Sequence, residues 1–122
     1  HSTSRRQRQM CIETDIDNHY KEEITLEHLA QIAHVSKYHV VHIFSKEDGI
    51  SPISYLAMRR IEESRQLLTT TDFSLSYIAH TLGFSSSSYF SQAFRKLEGV
   101  SPTEYRRTHK QQKAEQSSAS KA

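Results

Sequence analysis

Glycine, proline and cysteine are scarce in this chain: three, two and one among 122 residues, with no tryptophan. A single cysteine, Cys11, excludes an internal disulfide and any zinc site built on cysteines. As a small apolar side chain it is expected to be buried. Three glycines leave little from which to build a phosphate-cradling loop, and neither an H-E-x-x-H pair nor a G-x-S-x-G turn occurs. No catalytic constellation, cofactor or metal site is therefore expected. His39 and His42 stand three apart, but no acidic or cysteine ligand lies near them in sequence. No apolar run reaches membrane length and no signal-peptide pattern occurs, so a soluble cytoplasmic protein without a membrane partner is expected.

Charge of one sign is also lacking. The net +2 conceals a division along the chain. Residues 1–10 carry Arg5, Arg6 and Arg8, and residues 106–122 carry five basic residues against Glu115. Residues 11–105 hold 8 basic and 13 acidic side chains. A basic isoelectric point is thus weak evidence for a nucleic-acid partner, because the excess sits at the ends. Residues 1–9 have no apolar side chain and read as a disordered tail or the remnant of a tag, and residues 108–122 read as a basic flexible tail.

What the chain does contain is one pattern written twice. Leu26, Leu29, Ala30, Val35 and Ser36 recur 49 residues later as Leu75, Ile78, Ala79, Phe84 and Ser85. Phe44, Gly49, Ser51, Pro52 and Tyr55 recur 50 residues later as Phe94, Gly99, Ser101, Pro102 and Tyr105. In each copy a hydroxyl residue, Thr25 or Ser74, precedes apolar residues at i, i+3, i+4 and i+7, the signature of a capped amphipathic helix. A short turn through His34 or Gly83 leads to a second helix that buries Val40, Ile43 and Phe44, or Phe90, Phe94 and Leu97. Gly49 and Gly99 can end that helix in the left-handed conformation, and Ser-Pro then restarts the chain as helix. Two short helices joined by a tight turn make a helix-turn-helix.

Between the copies, Ile53, Ala57, Ile61, Ser64 and Leu68 recur at spacings of three and four, with no further Gly or Pro from Pro52 to about Thr70. A continuous helix there would span roughly 25 Å. If it is rigid, the two recognition helices are expected about one DNA turn, roughly 34 Å, apart. The expected organisation is residues 10–50 as a first helix-turn-helix unit, 52–70 as a linker helix and 73–107 as a second unit. Ile12, Ile16 and Tyr20 point to a further amphipathic helix ahead of the first copy.

The segments "ITLEHLAQIAHVSKYHVVHIFSKEDGISPISYLAMRRIEESRQLL" and "SLSYIAHTLGFSSSSYFSQAFRKLEGVSPTEYR" resemble the DNA-binding domain of the AraC/XylS family of bacterial transcription regulators. The resemblance covers about residues 10–107. It implies an all-α fold of about seven helices, two helix-turn-helix subdomains joined by a long linker helix. It also implies sequence-specific binding to double-stranded DNA, activation through contact with RNA polymerase, and an effector-binding or dimerisation domain ahead of this one in the full-length protein, absent here. A helical protein-interaction module is the alternative that the acidic middle of the chain favours.

Spacing leaves Lys37, Tyr38, Val41, His42 and Ser45 facing outward on the first recognition helix, and Ser87, Ser88, Ser91, Gln92 and Arg95 on the second. The resemblance implies base contacts by Tyr38, Val41 and His42, and by Ser87, Ser88, Tyr89, Ser91 and Gln92. Tyr89 packed sideways against the linker is the alternative for that ring, and Ser85 or Ser86 serves as a helix cap. The family often carries a long amide near position 87 and an arginine at position 92. Their absence shifts the second copy's readout from guanine toward adenine, through the Gln92 amide. Lys37, Lys46, Arg59, Arg60, Arg95 and Lys96 are candidate phosphate contacts, since basic side chains at helix edges lie beside the DNA backbone; the alternatives are an ordinary solvated charge and, for Arg60, a pairing with Glu63.

Overall fold

A hydroxyl group starts every helix after the first. In the computed structural model, which describes residues 5–47 and 51–110 (the side chains of Arg5 and of residues 44–47 excepted), the helices are α1 (Arg5–His19), α2 (Leu26–Ala33), α3 (Lys37–Glu47), α4 (Pro52–Thr70), α5 (Leu75–Thr81) and α6 (Ser87–Glu98). A seventh, α7, covers residues 102–110, and there is no strand among the described residues. The side-chain oxygens of Thr25, Ser36, Ser51, Ser74, Ser86 and Ser101 each accept the backbone N–H three residues on, at 3.1–3.2 Å. Each cap satisfies one of the amides that a helix N-terminus leaves without an intrahelical acceptor. Pro52 and Pro102 follow two of these caps at the first helical position, where the missing N–H costs nothing.

The chain divides at Arg60/Ile61 into two units, so α4 begins in one and ends in the other. In the first unit Ile12, Ile16 and Tyr20 meet Leu29, Ala30 and Ala33 of α2, Val40 and Ile43 of α3, and Leu56 of α4. In the second unit Ile61 and Leu68 of α4 meet Ile78, Ala79, Leu82, Phe84, Phe90 and Phe94. This second core is aromatic. Ring centroids run from Phe84 to Phe90 at 5.3 Å, on to Phe94 at 6.0 Å and to Tyr105 at 5.3 Å.

In each unit the helix that follows the helix-turn-helix returns an arginine to the end of the helix that precedes it. Arg60 donates from Nε to the Tyr20 carbonyl at 2.6 Å and from Nη2 to the Glu22 carbonyl at 2.9 Å. Arg106 donates to the Leu68 and Thr71 carbonyls at 3.0 and 3.4 Å. Both thereby satisfy carbonyls beyond the reach of the helical ladder, and place a cation at the negative end of a helix dipole.

Several expectations are corrected. Residues 5–9 are helical rather than a loose tail, and Gln9 is buried with its amide donating to Glu13 at 3.0 Å. Residues 108–110 likewise continue α7, and Lys110 pairs with Asp72. Residues 1–4 and 111–122 lie outside the described residues. Cys11 is exposed, because the buried stripe of α1 runs through Ile12, Ile16 and Tyr20, and position 11 falls beside it. Ile53 is 59% exposed and Leu97 45%. The first half of α4 buries Pro52, Leu56 and Arg60 in place of the predicted stripe, and α6 turns away from the core after Phe94. Among the described residues no helix is long and apolar enough to cross a membrane.

Candidate nucleic-acid interface

The two turns are built alike. Val35 N–H donates to the Ala30 carbonyl at 3.0 Å and His34 N–H to the Gln31 carbonyl at 3.3 Å. Phe84 N–H and Gly83 N–H make the same pair of bonds to Ala79 and His80, at 3.0 and 3.1 Å. This double closure needs a left-handed residue just past the helix. Gly83 supplies it at φ 93° and His34 at φ 58°. A side chain with a Cβ pays strain there that glycine does not. His34→Gly is therefore expected to stabilise the first unit by about 0.5–1 kcal/mol in urea unfolding, glycine's greater freedom in the unfolded chain offsetting part of the relief. No gain in midpoint would show that the His34 side chain contributes compensating contacts.

The caps then correct the alignment of the copies. The turn bonds match at an offset of 49, but the caps of the recognition helices, Ser36 and Ser86, match at 50. Ser85 is the added residue, and it lies in the turn. With α3 and α6 registered on their caps, Tyr38, Val41 and His42 correspond to Ser88, Ser91 and Gln92, and Ser45 to Arg95. At 100° per residue these positions form one face of each helix. Ser87 and Tyr89 fall roughly a quarter turn to either side. Tyr89 matches His39, and its ring lies 5.7 Å from Phe84, against its own unit's turn.

Exposure varies across this face, and Tyr89 beside it is 45% exposed. Tyr38 is 69% exposed and Val41 39%; Ser88, Gln92, Arg95 and Lys96 are exposed, while His42, Ser87 and Ser91 are half-buried. The Tyr38 and His42 rings pack on each other at 4.2 Å. Neither α3 nor α6 has an acidic residue in its first turn, so the partial positive charge at each N-terminus meets no carboxylate of its own helix. Val40, Ile43, Phe90 and Phe94 face inward as expected. The side chains of Phe44, Ser45 and Lys46 lie outside the described residues.

The basic candidates separate into different uses. Arg60 departs from the expected phosphate contact: it is 8% exposed and its guanidinium is committed to two carbonyls. Arg59 lies half-buried, 4.5 Å over the Tyr20 ring and 3.6 Å from Asp17. Lys37 is exposed and donates to Glu27 at 2.9 Å, and that bond together with the lysine's charge holds the Glu27 carboxyl below its ordinary range. Arg95 and Lys96 are exposed in the last turn of α6, where they also complement the helix dipole. The anchoring role of Arg106 was missed. Nothing local marks it, because Arg60 and Arg106 lie 46 residues apart, out of step with the repeat.

A family model described as a helix-turn-helix domain matches residues 29–108. The HTH-type transcriptional regulator YdiP of Escherichia coli (strain K12) is 39% identical over 101 residues, covering 83% of this chain and 33% of that protein. The C-terminal domain of AraT, a response regulator from Geobacillus stearothermophilus, superposes with a TM-score of 0.77 at 34% identity over 88% of each chain. The DNA-binding domain of AdpA, a global transcriptional factor solved in complex with a target DNA, superposes at 0.78 with 27% identity, covering 85% of this chain and 94% of that one. Against the first curated relatives, this chain spans 32–39% of their length.

Proposed function

We propose, from the premise that this chain belongs to the AraC/XylS family of helix-turn-helix transcription regulators, that it binds double-stranded DNA sequence-specifically in the cytoplasm and regulates transcription. The observation that carries this reading is the pair of cap-registered helices, in which Tyr38, Val41 and His42 on one and Ser88, Ser91 and Gln92 on the other stand at matched spacing from a serine-capped N-terminus. Each helix enters a major groove with its N-terminal part toward the base edges. Tyr38, Val41 and His42 read the bases on one, and Ser88, Ser91 and Gln92 on the other, with Ser87 and Tyr89 at the margin. Arg95, Lys96 and Lys37 meet phosphates, together with Arg59 and Lys46 where the backbone passes within reach. Contact with RNA polymerase, and control by an effector-binding or dimerisation domain, belong to the same proposal for the full-length protein.

Gln92 provides the test. Its amide pairs with adenine through both donor and acceptor, whereas serine takes either partner and commits to no base. Gln92→Ala is expected to cost about 1–3 kcal/mol at the selected site and to relax the motif at one position, with binding to random duplex unchanged. Arg95→Ala is expected to weaken all sequences alike and to lower the slope of log K against log salt by about one, because it releases fewer counterions. Mobility shifts across a salt series separate the two. If duplex DNA of any sequence binds equally, the chain is a helical interaction module and not a reader of sequence.

A further inference from the structure

Val41 is an unusual choice for its place. It lies in the middle of α3, on the outward face that also holds Tyr38 and His42, and it remains 39% exposed. A β-branched side chain on a helix surface loses rotamer freedom without the return that burial provides. The second copy has Ser91 at the matching position, between Ser88 and Gln92, so the repeat itself does not require an aliphatic group there. Valine has neither donor nor acceptor on its side chain, and it cannot read any hydrogen-bonding group on a base edge. The one apolar feature that base pairs present in the major groove is the pyrimidine 5-methyl group, carried by thymine.

From this we propose that Val41 reads a pyrimidine 5-methyl group, that of thymine, at one position of the half-site bound by α3. The inference rests on the DNA-binding reading above and specifies what that helix recognises. Tyr38 and His42 flank Val41 by spacing, and their rings pack on each other at 4.2 Å, which limits the rotamers of both and keeps an aromatic surface beside the methyl contact. The two half-sites are then read by different chemistry. The α3 half-site is read in part by this apolar contact, and the α6 half-site by the hydroxyls of Ser88 and Ser91 and the amide of Gln92.

The experiment begins with a duplex selected from random sequence by the full 122-residue chain. Each thymine is replaced singly by deoxyuridine, which keeps every hydrogen-bonding edge and removes only the methyl. One position in one half-site should weaken about fourfold, the worth of a methyl-sized group withdrawn from water. At that position a C·G pair and a 5-methyl-C·G pair are compared next. A preference for the methylated pair is expected, because its methyl group sits at the same ring position as thymine's, and no preference counts against the assignment. Val41→Ser should abolish the thymine-over-uracil preference while Val41→Ile keeps it, and the melting temperatures of both variants verify folding. The assignment is overturned if no thymine shows methyl dependence, or if Val41→Ser retains it. If a motif is selected and Gln92→Ala alters it, yet methyl dependence is absent, only this assignment falls. If no motif is selected, the DNA-reading function falls with it.

Discussion

Phe94→Ala is expected to destabilise the second unit by about 3–5 kcal/mol, the range for deleting a buried aromatic ring, and to abolish base reading by α6. Phe94 is fully buried, and its ring lies between those of Phe90 and Tyr105 in the aromatic series that begins at Phe84. Removing it opens a cavity where α6 meets α7. Small domains hold only about 5–15 kcal/mol in total, so a loss of this size leaves little of the folded unit. Urea unfolding followed by helical circular dichroism measures the change. Leu97→Ala on the same helix is the control: its side chain is 45% exposed, and a change within about 0.5 kcal/mol is expected. A loss under 1 kcal/mol at Phe94 would mean that its neighbours collapse into the space, and that the aromatic series does not hold α6 in place.

Arg60→Met is expected to cost the first unit about 3 kcal/mol. Methionine keeps the apolar stem's contacts, so the loss reports the two bonds to Tyr20 and Glu22, each of the charge-assisted kind worth about 1.5–3 kcal/mol. The carbonyls at the end of α1 are then left without that partner. Arg60→Lys should fall between, since an ammonium cannot reproduce the planar fork that serves two acceptors at once. The same variant decides between the two readings of this residue. A phosphate contact would lower the salt slope of DNA binding by about one and leave unfolding unchanged. The structure requires the reverse.

The places where expectation and structure part share one cause. Cys11 and Leu97, expected in the interior from residue type and helical spacing, lie beside the buried stripe rather than on it, as does Ile53 of the linker spacing. Hydrophobic spacing locates a helix more reliably than it locates the width of the face a neighbour covers. Arg60 failed in the opposite direction. A charged side chain reads as surface, but its partners are 38 and 40 residues away, and only folding brings them within reach. The serine run shows the same limit at short range. Ser85 and Ser86 are chemically identical, and which of them caps α6 depends on where the preceding turn closes on Ala79.

What this sequence determined by itself is whatever depends on neighbours a few residues away: the two copies, the helices and their hydroxyl caps outside the serine run, the left-handed positions at His34 and Gly83, and the outward positions of the two recognition helices. These follow from backbone sterics and helical spacing, which act over three or four residues and leave a readable mark. Tertiary structure alone decided which cations remain for a ligand. Arg60 and Arg106 are taken up by carbonyls and Lys37 shares its charge with Glu27, while Arg95 and Lys96 stay exposed on α6. That division cannot be read along the chain, because an ion pair or a buried hydrogen bond depends on distance in space, and these partners are 10 to 40 residues apart.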